Sequence, residues 1–197
     1  MPRTKEQFAE MREKTKNTIR DTAMRLFAEN GYHGTSINQI ATEAGISKGL
    51  IYNYFEKKED IVEEIITKAF SDFEFMFQEM INLNEPYKAV EIIMNSSFDM
   101  IENQAEFYKL LIMVSLQKDL QSITIKVMSE FYDKMYGVIE PLFEALGVED
   151  PYTEARVFGA AFDGAFINYC FFGEKFPLNN LREHFLSRYK PKKKLIS

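Results

Sequence analysis

The amino-acid sequence predicts an all-α protein, in which three helices form an N-terminal domain and a long fourth helix joins it to a larger helical domain. Apolar residues recur along the chain every three or four positions, which is the spacing of the buried face of a helix. Alternating runs of β-branched residues, which would predict strands, are absent from the sequence. The helical pattern is interrupted mainly at glycines and prolines, as expected for the ends of helices.

The first predicted helix begins between Lys5 and Lys16 and ends at Glu29, before Asn30 and Gly31. Its inward face carries Ile19, Ala23, Leu26 and Phe27. Near its start, basic residues alternate with acidic ones. This mixture predicts a solvated helix face; its basic residues are Lys14, Lys16 and Arg20.

Two short helices follow directly. Ser36 with Gln39 three residues later has the pattern of a capping box, which begins the first of them. Gly45 ends that helix, because glycine adopts the left-handed conformation at a helix C-terminus without a Cβ penalty. Ser47 is a favourable N-cap for the second helix, which we place at about residues 47–55.

The spacing of Ala41, Gly45 and Ile51 predicts that these helices cross as a helix-turn-helix. Ala41 permits close approach, Gly45 supplies the turn, and Ile51 fills the space between the helices. In DNA-binding proteins the second helix of this motif enters the major groove. Its exposed positions here are small, basic or phenolic, which suits contact with base edges and phosphate oxygens. A purely structural corner between two helices stays open as the alternative.

The run FAENGYHGTSINQIATEAGISKGLIYNYFEKKEDIVEEI resembles the N-terminal DNA-binding domain of the TetR (tetracycline-repressor) family of bacterial transcription regulators. The resemblance covers roughly residues 15–66. The matching residues are Leu26-Phe27, Gly31-Tyr32, Gly34-Thr35, Ile40-Ala41, Ala44-Gly45, Ser47-Lys48-Gly49, Tyr52, Tyr54-Phe55 and Lys58-Glu59. Lys57 departs from the family pattern, which often has a small capping residue there, so the cap of the fourth helix stays open.

The resemblance and the exposed face of the second short helix together predict the DNA contacts. We expect Lys48 to reach a base edge or an adjacent phosphate, Gly49 to let the backbone approach DNA, and Tyr52 to meet a thymine methyl. Phosphate contacts are expected from Thr35, Ser47, Tyr54 and Lys58. The full set of candidate DNA-binding residues is Thr35, Ser36, Ser47, Lys48, Gly49, Tyr52, Asn53, Tyr54 and Lys58.

The fourth helix begins near Lys58 and continues without Gly or Pro to about Ile81, so we expect it to bridge the two domains. Its apolar positions are Ile61, Ile65, Ile66, Ala69, Phe73, Phe77 and Met80. We place the DNA-binding domain at residues 1–60 and the effector-binding and dimerisation domain at residues 61–197. Further helices are predicted near residues 86–103, 105–117, 121–146, 151–173 and 178–189, with a kink or break at Pro141.

The second domain is rich in Phe, Tyr and Met, and most of these residues are expected to be core. The notable members are Phe98, Met100, Phe107, Tyr108, Met113, Phe131, Tyr132, Met135, Phe143, Phe158 and Phe162. In the TetR family this half usually encloses a small-molecule pocket. The resemblance therefore implies an effector, and a hydrophobic one rather than a highly charged one.

Residues 155–173 place small side chains on adjacent helical turns. Each glycine inside a helix costs about 1 kcal/mol relative to alanine, so a packing reason is expected, such as close approach of another helix. In the TetR family the last two long helices form a four-helix bundle across a two-fold axis, which implies a homodimer. The candidate interface residues are Gly159, Ala160, Phe162, Gly164, Phe166, Ile167, Leu181, Phe185 and Leu186. Close packing within one subunit is the alternative.

The net charge of −6 argues against a protein that coats DNA indiscriminately. Residues 1–60 carry ten basic and nine acidic residues, whereas residues 61–197 carry fourteen and twenty-one, so DNA is expected at the N-terminal end. Cys170 is the single cysteine, which excludes an intrachain disulfide and favours a reducing compartment. Because the sequence shows no signal-peptide core and no apolar run of membrane-spanning length, we expect a cytoplasmic protein.

Catalytic motifs and metal-ligand spacings are absent from the sequence, and its two histidines, His33 and His184, stand in unrelated contexts. We therefore expect no enzyme, no cofactor and no metal. The expected function is that of a dimeric regulator, chiefly a repressor, which a small hydrophobic effector releases from a palindromic operator. The alternatives are a transcriptional activator, a regulator controlled by a protein partner, and a helical protein-interaction module.

Overall fold

A computed structural model of the chain describes the backbone of residues 4–81 and 84–190, and their side chains except those of residues 72–81 and 106. Within this part the chain forms helices and no strand, which confirms the predicted all-α class. The α-helices are α1 (Lys5–Gly34), α2 (Ile37–Glu43), α3 (Lys48–Tyr52), α4 (Lys58–Ile81), α5 (Pro86–Ser115), α6 (Gln121–Ala145), α7 (Pro151–Phe172) and α8 (Leu178–Tyr189).

The protein divides into two compact units. The first unit contains the described residues up to Ala69 together with Leu110–Val127. The second contains Phe70–Lys109 and the described residues from Met128 onward. Helices α4, α5 and α6 each contribute residues to both units, so neither unit is a single continuous stretch of chain. The predicted division into residues 1–60 and 61–197 stays a prediction.

Helix α1 begins at Lys5, at the early end of the predicted range, because Thr4 and Gln7 form a capping box. Gly31 interrupts the helix with φ +75°, at the place where the sequence predicts its end. One further turn then continues to Gly34. The interruption matters for the site, since it turns the chain towards the start of α2.

The caps of α2 and α4 explain how these helices begin and end. Ser36 and Gln39 form the predicted capping box of α2. At the other end Gly45 has φ +67°, and the Ile46 amide donates to the Ala41 carbonyl at 3.0 Å, as in a Schellman motif. The α4 cap left open by the sequence is supplied by Asp60, whose carboxylate accepts from the backbone amides preceding the helix, at 2.9 and 3.1 Å.

Helices α5 and α6 differ in part from the predicted boundaries. The helices predicted at residues 86–103 and 105–117 are a single helix, α5, which is interrupted at Gln104 with φ −130° and ψ 20°. Helix α6 continues through Pro141 to Ala145, so the proline does not break it. The side chains predicted for the inner face of helix four at Phe73, Phe77 and Met80 lie outside the described side chains.

The second unit has an aromatic core, as the sequence predicts. Phe143 stacks on Tyr189 with ring centroids 4.5 Å apart, and Phe158 meets both Phe143 and Phe185 edge to face. These contacts join α6, α7 and α8. Met113, which belongs to the first unit, is an exception among the expected core residues because its side chain is largely exposed.

Helices α6 and α7 meet along an antiparallel seam of polar and aromatic side chains. The Tyr132 hydroxyl donates to Asp163, and one turn further along the Tyr136 hydroxyl would lie 3.1 Å from a Cβ at Gly159. Burial raises the pKa of Asp163 above its usual range, and the hydrogen bond from Tyr132 opposes this only in part. The seam therefore holds a carboxylate whose ionised form the fold disfavours.

Replacing this carboxylate with an amide, in Asp163→Asn, is expected to raise the Tm by a few degrees at pH 7. The amide oxygen still accepts from Tyr132, while the partly buried charge is gone. Because folding raises the pKa of Asp163, the wild type loses stability as pH rises above the usual aspartate value of about 4. The gain should therefore shrink towards pH 4 in thermal melts. Asp133→Asn, at an exposed position of α6, is the control; equal gains at both pH values for Asp163→Asn would contradict this account.

Candidate nucleic-acid interface

The two short helices of the first unit pack as a helix-turn-helix. Ile40 and Ile51 have no exposed surface, and Ala41 is almost fully buried between them. The Schellman motif at Gly45 turns the chain, and the Ser47 hydroxyl accepts from the Leu50 amide at 3.1 Å to begin α3. The small residue, the turn and the apolar plug thus lie where the sequence spacing predicts them. The arrangement leaves one side of α3 exposed to solvent, and we call it the free side of α3.

The free side of α3 carries most of the predicted DNA-binding residues. Ser47, Lys48, Gly49, Tyr52 and Asn53 are all exposed. The Lys48 ammonium lies 5.9 Å from the centre of the Tyr52 ring, so a cation and an aromatic face are presented together. A Cβ at Gly49 would meet only the Ser47 hydroxyl, at 4.0 Å. Gly49 is therefore not needed for packing within the chain, which is compatible with the close approach of another molecule.

Ser36 is also exposed, at the N-cap of α2, where its hydroxyl donates to the Gln39 side chain at 2.8 Å. Thr35, in contrast, is only 1% exposed. Its hydroxyl bonds to the carbonyl oxygens of Leu26 and Gly31, at 3.0 and 2.9 Å. The hydroxyl therefore closes the break in α1, and the phosphate contact predicted for Thr35 stays a prediction. Sequence spacing could not show this burial.

Lys58 also has partners inside the first unit. Its ammonium donates to the backbone carbonyls of Tyr32 and Thr35, at 2.6 and 2.8 Å, and lies 4.0 Å from the centre of the Tyr32 ring. Burial lowers the pKa of Lys58, and the nearby Glu59 carboxylate opposes this effect. The predicted phosphate contact therefore competes with internal bonds that were invisible in the sequence.

Tyr54 is half-buried at the end of the helix-turn-helix, and Arg12 lies next to it. The Arg12 guanidinium carbon is 4.9 Å from the centre of the Tyr54 ring. Sequence reasoning missed Arg12 because its place depends on α1 starting as early as Lys5. The capping box of Thr4 and Gln7 is the signal that could have found it.

Comparison with known proteins agrees with this geometry. Residues 19–65, which contain the whole helix-turn-helix, match the family model of bacterial regulatory proteins of the tetR family. The uncharacterized HTH-type transcriptional regulator YxaF of Bacillus subtilis is 32% identical over 91 residues, which are 45% of this chain and 48% of YxaF. The match thus spans about half the length of that relative. IcaR of Staphylococcus aureus, the negative transcriptional regulator of the biofilm operon icaADBC, is 27% identical over 144 residues, or 72% of each chain.

The helix-turn-helix region of this chain thus matches the TetR family over residues 19–65. The fold extends the likeness beyond the helix-turn-helix. The crystal structure of the transcriptional regulator FadR from Bacillus subtilis, in complex with stearoyl-CoA, superimposes with a TM-score of 0.67 and 21% identity. The superposition covers 87% of this chain and 96% of FadR, so the two proteins share the fold of the helical second half as well.

The described residues contain neither a membrane-spanning helix nor a cluster of metal-ligating side chains. None of its described helices is long and apolar enough to span a bilayer. Among the same residues, no group of three or more His, Cys, Asp or Glu side chains could hold a metal ion.

The predicted dimer residues fall into two groups, those buried in the subunit and those that reach its surface. Phe166 and Phe185 are buried within the subunit, and Gly159 packs against Tyr136 and Met135. These three are packed inside one subunit, which is the alternative that the sequence left open. Phe162 is half-buried, with its ring 6.2 Å from that of Phe98. The remaining predicted residues reach the surface of the subunit. Ala160 and Ile167 are exposed, and Gly164, Leu181 and Leu186 are half-buried.

An exposed apolar stripe runs along α7 through this second group. It consists of Val157, Ala160, Gly164, Ile167 and Phe171, spaced alternately three and four residues apart. This is the spacing of a helix seam that packs against another helix. Phe171 is 80% exposed, and nothing in the subunit lies within 4 Å of a Cβ at Gly164. Val157 and Phe171 were missed because the prediction followed the small residues of α7 rather than its apolar period.

Proposed function

We propose that this chain is a dimeric, sequence-specific DNA-binding transcription regulator that represses its target genes. The observation that carries the proposal is the free side of α3, which a fully buried helix-turn-helix core holds in place. Its small, basic and phenolic residues suit base edges and phosphates in the major groove. Repression rather than activation is supported by the similarity to IcaR, which is a negative transcriptional regulator.

The α7 stripe supports a homodimer. Exposed apolar residues at the period of a helix seam bury their surface most readily against a second copy of the same stripe. A two-fold dimer would present two α3 helices to successive major grooves, about 34–36 Å apart, on one face of a palindromic operator. The revised interface centres on Val157, Ala160, Gly164, Ile167 and Phe171, flanked by Leu181 and Leu186.

A hydrophobic effector is proposed to release the protein from DNA. FadR, which shares the fold, has been crystallised with stearoyl-CoA, a ligand with a long apolar chain. The aromatic and Met-rich second unit of this chain suits the same class of ligand. Helix α4 belongs to both units, so an effector with unequal affinity for two positions of α4 would shift the recognition helices.

We further propose that the protein acts in the cytoplasm as a regulator without catalytic activity of its own. This is supported by its relatives, which are transcriptional regulators.

The test of this function is selection of bound duplexes from random-sequence DNA by the purified full chain at physiological salt. Recovery of a two-fold-symmetric motif is expected. A correctly folded dimer that enriches no motif, also after extraction of bound apolar molecules, would refute the operator-binding proposal. The recovered duplex then serves to screen long-chain acyl compounds for release of the protein from DNA.

Lys48→Ala is expected to weaken binding to the selected duplex by about 1–3 kcal/mol and to relax preference at one base position in each half-site. The reason is that an exposed ammonium beside Tyr52 is placed to meet a base edge. Binding is measured on the selected duplex and on its single-base variants. Lys175→Ala, an exposed lysine of the second unit, is the control and should bind like the wild type. Uniform weakening on every duplex would contradict the base contact.

A further inference from the structure

Lys58 is held by the segment that connects α1 to α2. Two of the three hydrogens of its ammonium point to the carbonyl oxygens of Tyr32 and Thr35, and the Tyr32 ring lies below it. Thr35 immediately precedes Ser36, the N-cap of α2. The first residue of α4 is thus bonded to the backbone directly before the helix-turn-helix.

A second bond ties the same segment to the next residue of α4. The hydroxyl of Tyr32, a residue only 4% exposed, donates to the Glu59 carboxylate at 2.8 Å. The pKa of Glu59 is held below its usual range, first by a hydrogen bond with its own backbone amide and then by this bond from Tyr32. Glu59 is therefore ionised beside Lys58, and the two charges offset each other.

We propose that Lys58 is a positioning residue that fixes the start of α2, and through it the recognition helix α3, to the first turn of α4. In this role it makes no phosphate contact. The inference deepens the proposed DNA-binding function and rests on it. It replaces the phosphate contact that the sequence predicts for Lys58.

The internal bonds argue against a phosphate role for two reasons. Turning the ammonium towards DNA would leave the carbonyl of Thr35 without its donor, at a residue that is almost fully buried. The neighbouring Glu59 carboxylate also cancels the positive charge that would displace counterions from DNA. A positioning role is consistent with both features. It requires the hydrogen bond from Lys58 to the Thr35 carbonyl, and it does not require a net positive charge.

The consequence concerns how α4 controls DNA binding. Because Lys58 of α4 is hydrogen-bonded to the carbonyls of Tyr32 and Thr35, a displacement of the first turn of α4 moves the N-cap Ser36 with it. The Ser36–Gln39 capping box then carries the displacement into α2, which packs on α3 through Ala41 and Ile51. Loss of the Lys58 ammonium should therefore loosen α2 and weaken DNA binding without changing the number of phosphates neutralised.

The experiment compares Lys58→Met, which keeps much of the apolar stem, Lys58→Arg, which keeps the charge, and the exposed control Lys57→Met. Affinity for the selected duplex is measured between about 50 and 200 mM salt. Amide hydrogen exchange over Ile37–Glu43 is followed without DNA. We expect both Lys58 variants to bind about tenfold more weakly with an unchanged salt slope, and to exchange faster in α2. Lys57→Met should leave α2 exchange at the wild-type rate.

A salt slope that falls by about one unit in Lys58→Met, with full recovery in Lys58→Arg, would overturn the proposal in favour of a phosphate contact. Unchanged exchange in α2 would overturn it as well. If Lys58→Met fails to fold, Lys58→Arg decides, because a phosphate contact tolerates this exchange and the two-carbonyl site does not. If the wild type selects no DNA, the proposed function fails, and the exchange rates alone then support or overturn the positioning role.

Discussion

Gly164→Arg is expected to convert the dimer into monomers that remain folded. Gly164 lies in the middle of the exposed α7 stripe, where a Cβ meets nothing in its own subunit within 4 Å. An arginine there suits the helix better than glycine by about 1 kcal/mol, so the isolated subunit should not suffer. Across a two-fold seam, however, two long charged side chains would stand where two helices approach closely.

The loss of the dimer should also weaken binding to DNA. A monomer presents one recognition helix, so it loses the gain from binding two half-sites together, on the order of 10²–10⁴-fold in affinity. Sedimentation velocity measures the oligomeric state, and binding to the selected palindrome measures the affinity. Far-ultraviolet circular dichroism verifies that the subunit is folded.

The matched control is Gly137→Arg. Gly137 also lies inside a helix, α6, and is exposed, and a Cβ at this position would meet nothing within 4 Å. This variant should remain dimeric and bind DNA like the wild type. A dimeric Gly164→Arg protein with wild-type affinity would place the subunit interface elsewhere than on the α7 stripe.

Ile51→Ala should lower the free energy of unfolding of the first unit by about 2–5 kcal/mol. Ile51 has no exposed surface and fills the space between α2 and α3, so its truncation leaves a cavity at the centre of the helix-turn-helix. The recognition helix has only five residues and depends on this contact for its position. DNA affinity should therefore fall together with stability.

Urea unfolding, followed by circular dichroism and by hydrogen exchange in α2 and α3, measures the effect. Ile125→Ala is the matched control, since it removes the same atoms in the same unit at a position that is 57% exposed. Its unfolding free energy should stay within about 0.5 kcal/mol of the wild type. Equal losses in the two variants would show that Ile51 is not a packing centre.

The local features of this protein were predictable from its sequence because they depend on neighbours along the chain. The Ser36 capping box, the turn at Gly45 and the N-cap at Ser47 each involve residues no more than five positions apart. The helix-turn-helix follows from these signals and from Ala41 and Ile51, so the class of site was accessible before the fold was known.

Long-range packing assigned the individual roles. Thr35 and Lys58 have the chemistry of phosphate contacts, but bonds to residues 9 to 26 positions away give them internal partners. Gly159 and Gly164 are both glycines of α7. Tyr136 of α6 packs against Gly159, whereas a Cβ at Gly164 would meet nothing within 4 Å. Side-chain chemistry restricts what a residue can contact. Which of those contacts it makes depends on the helices that pack beside it, and these come from distant parts of the chain.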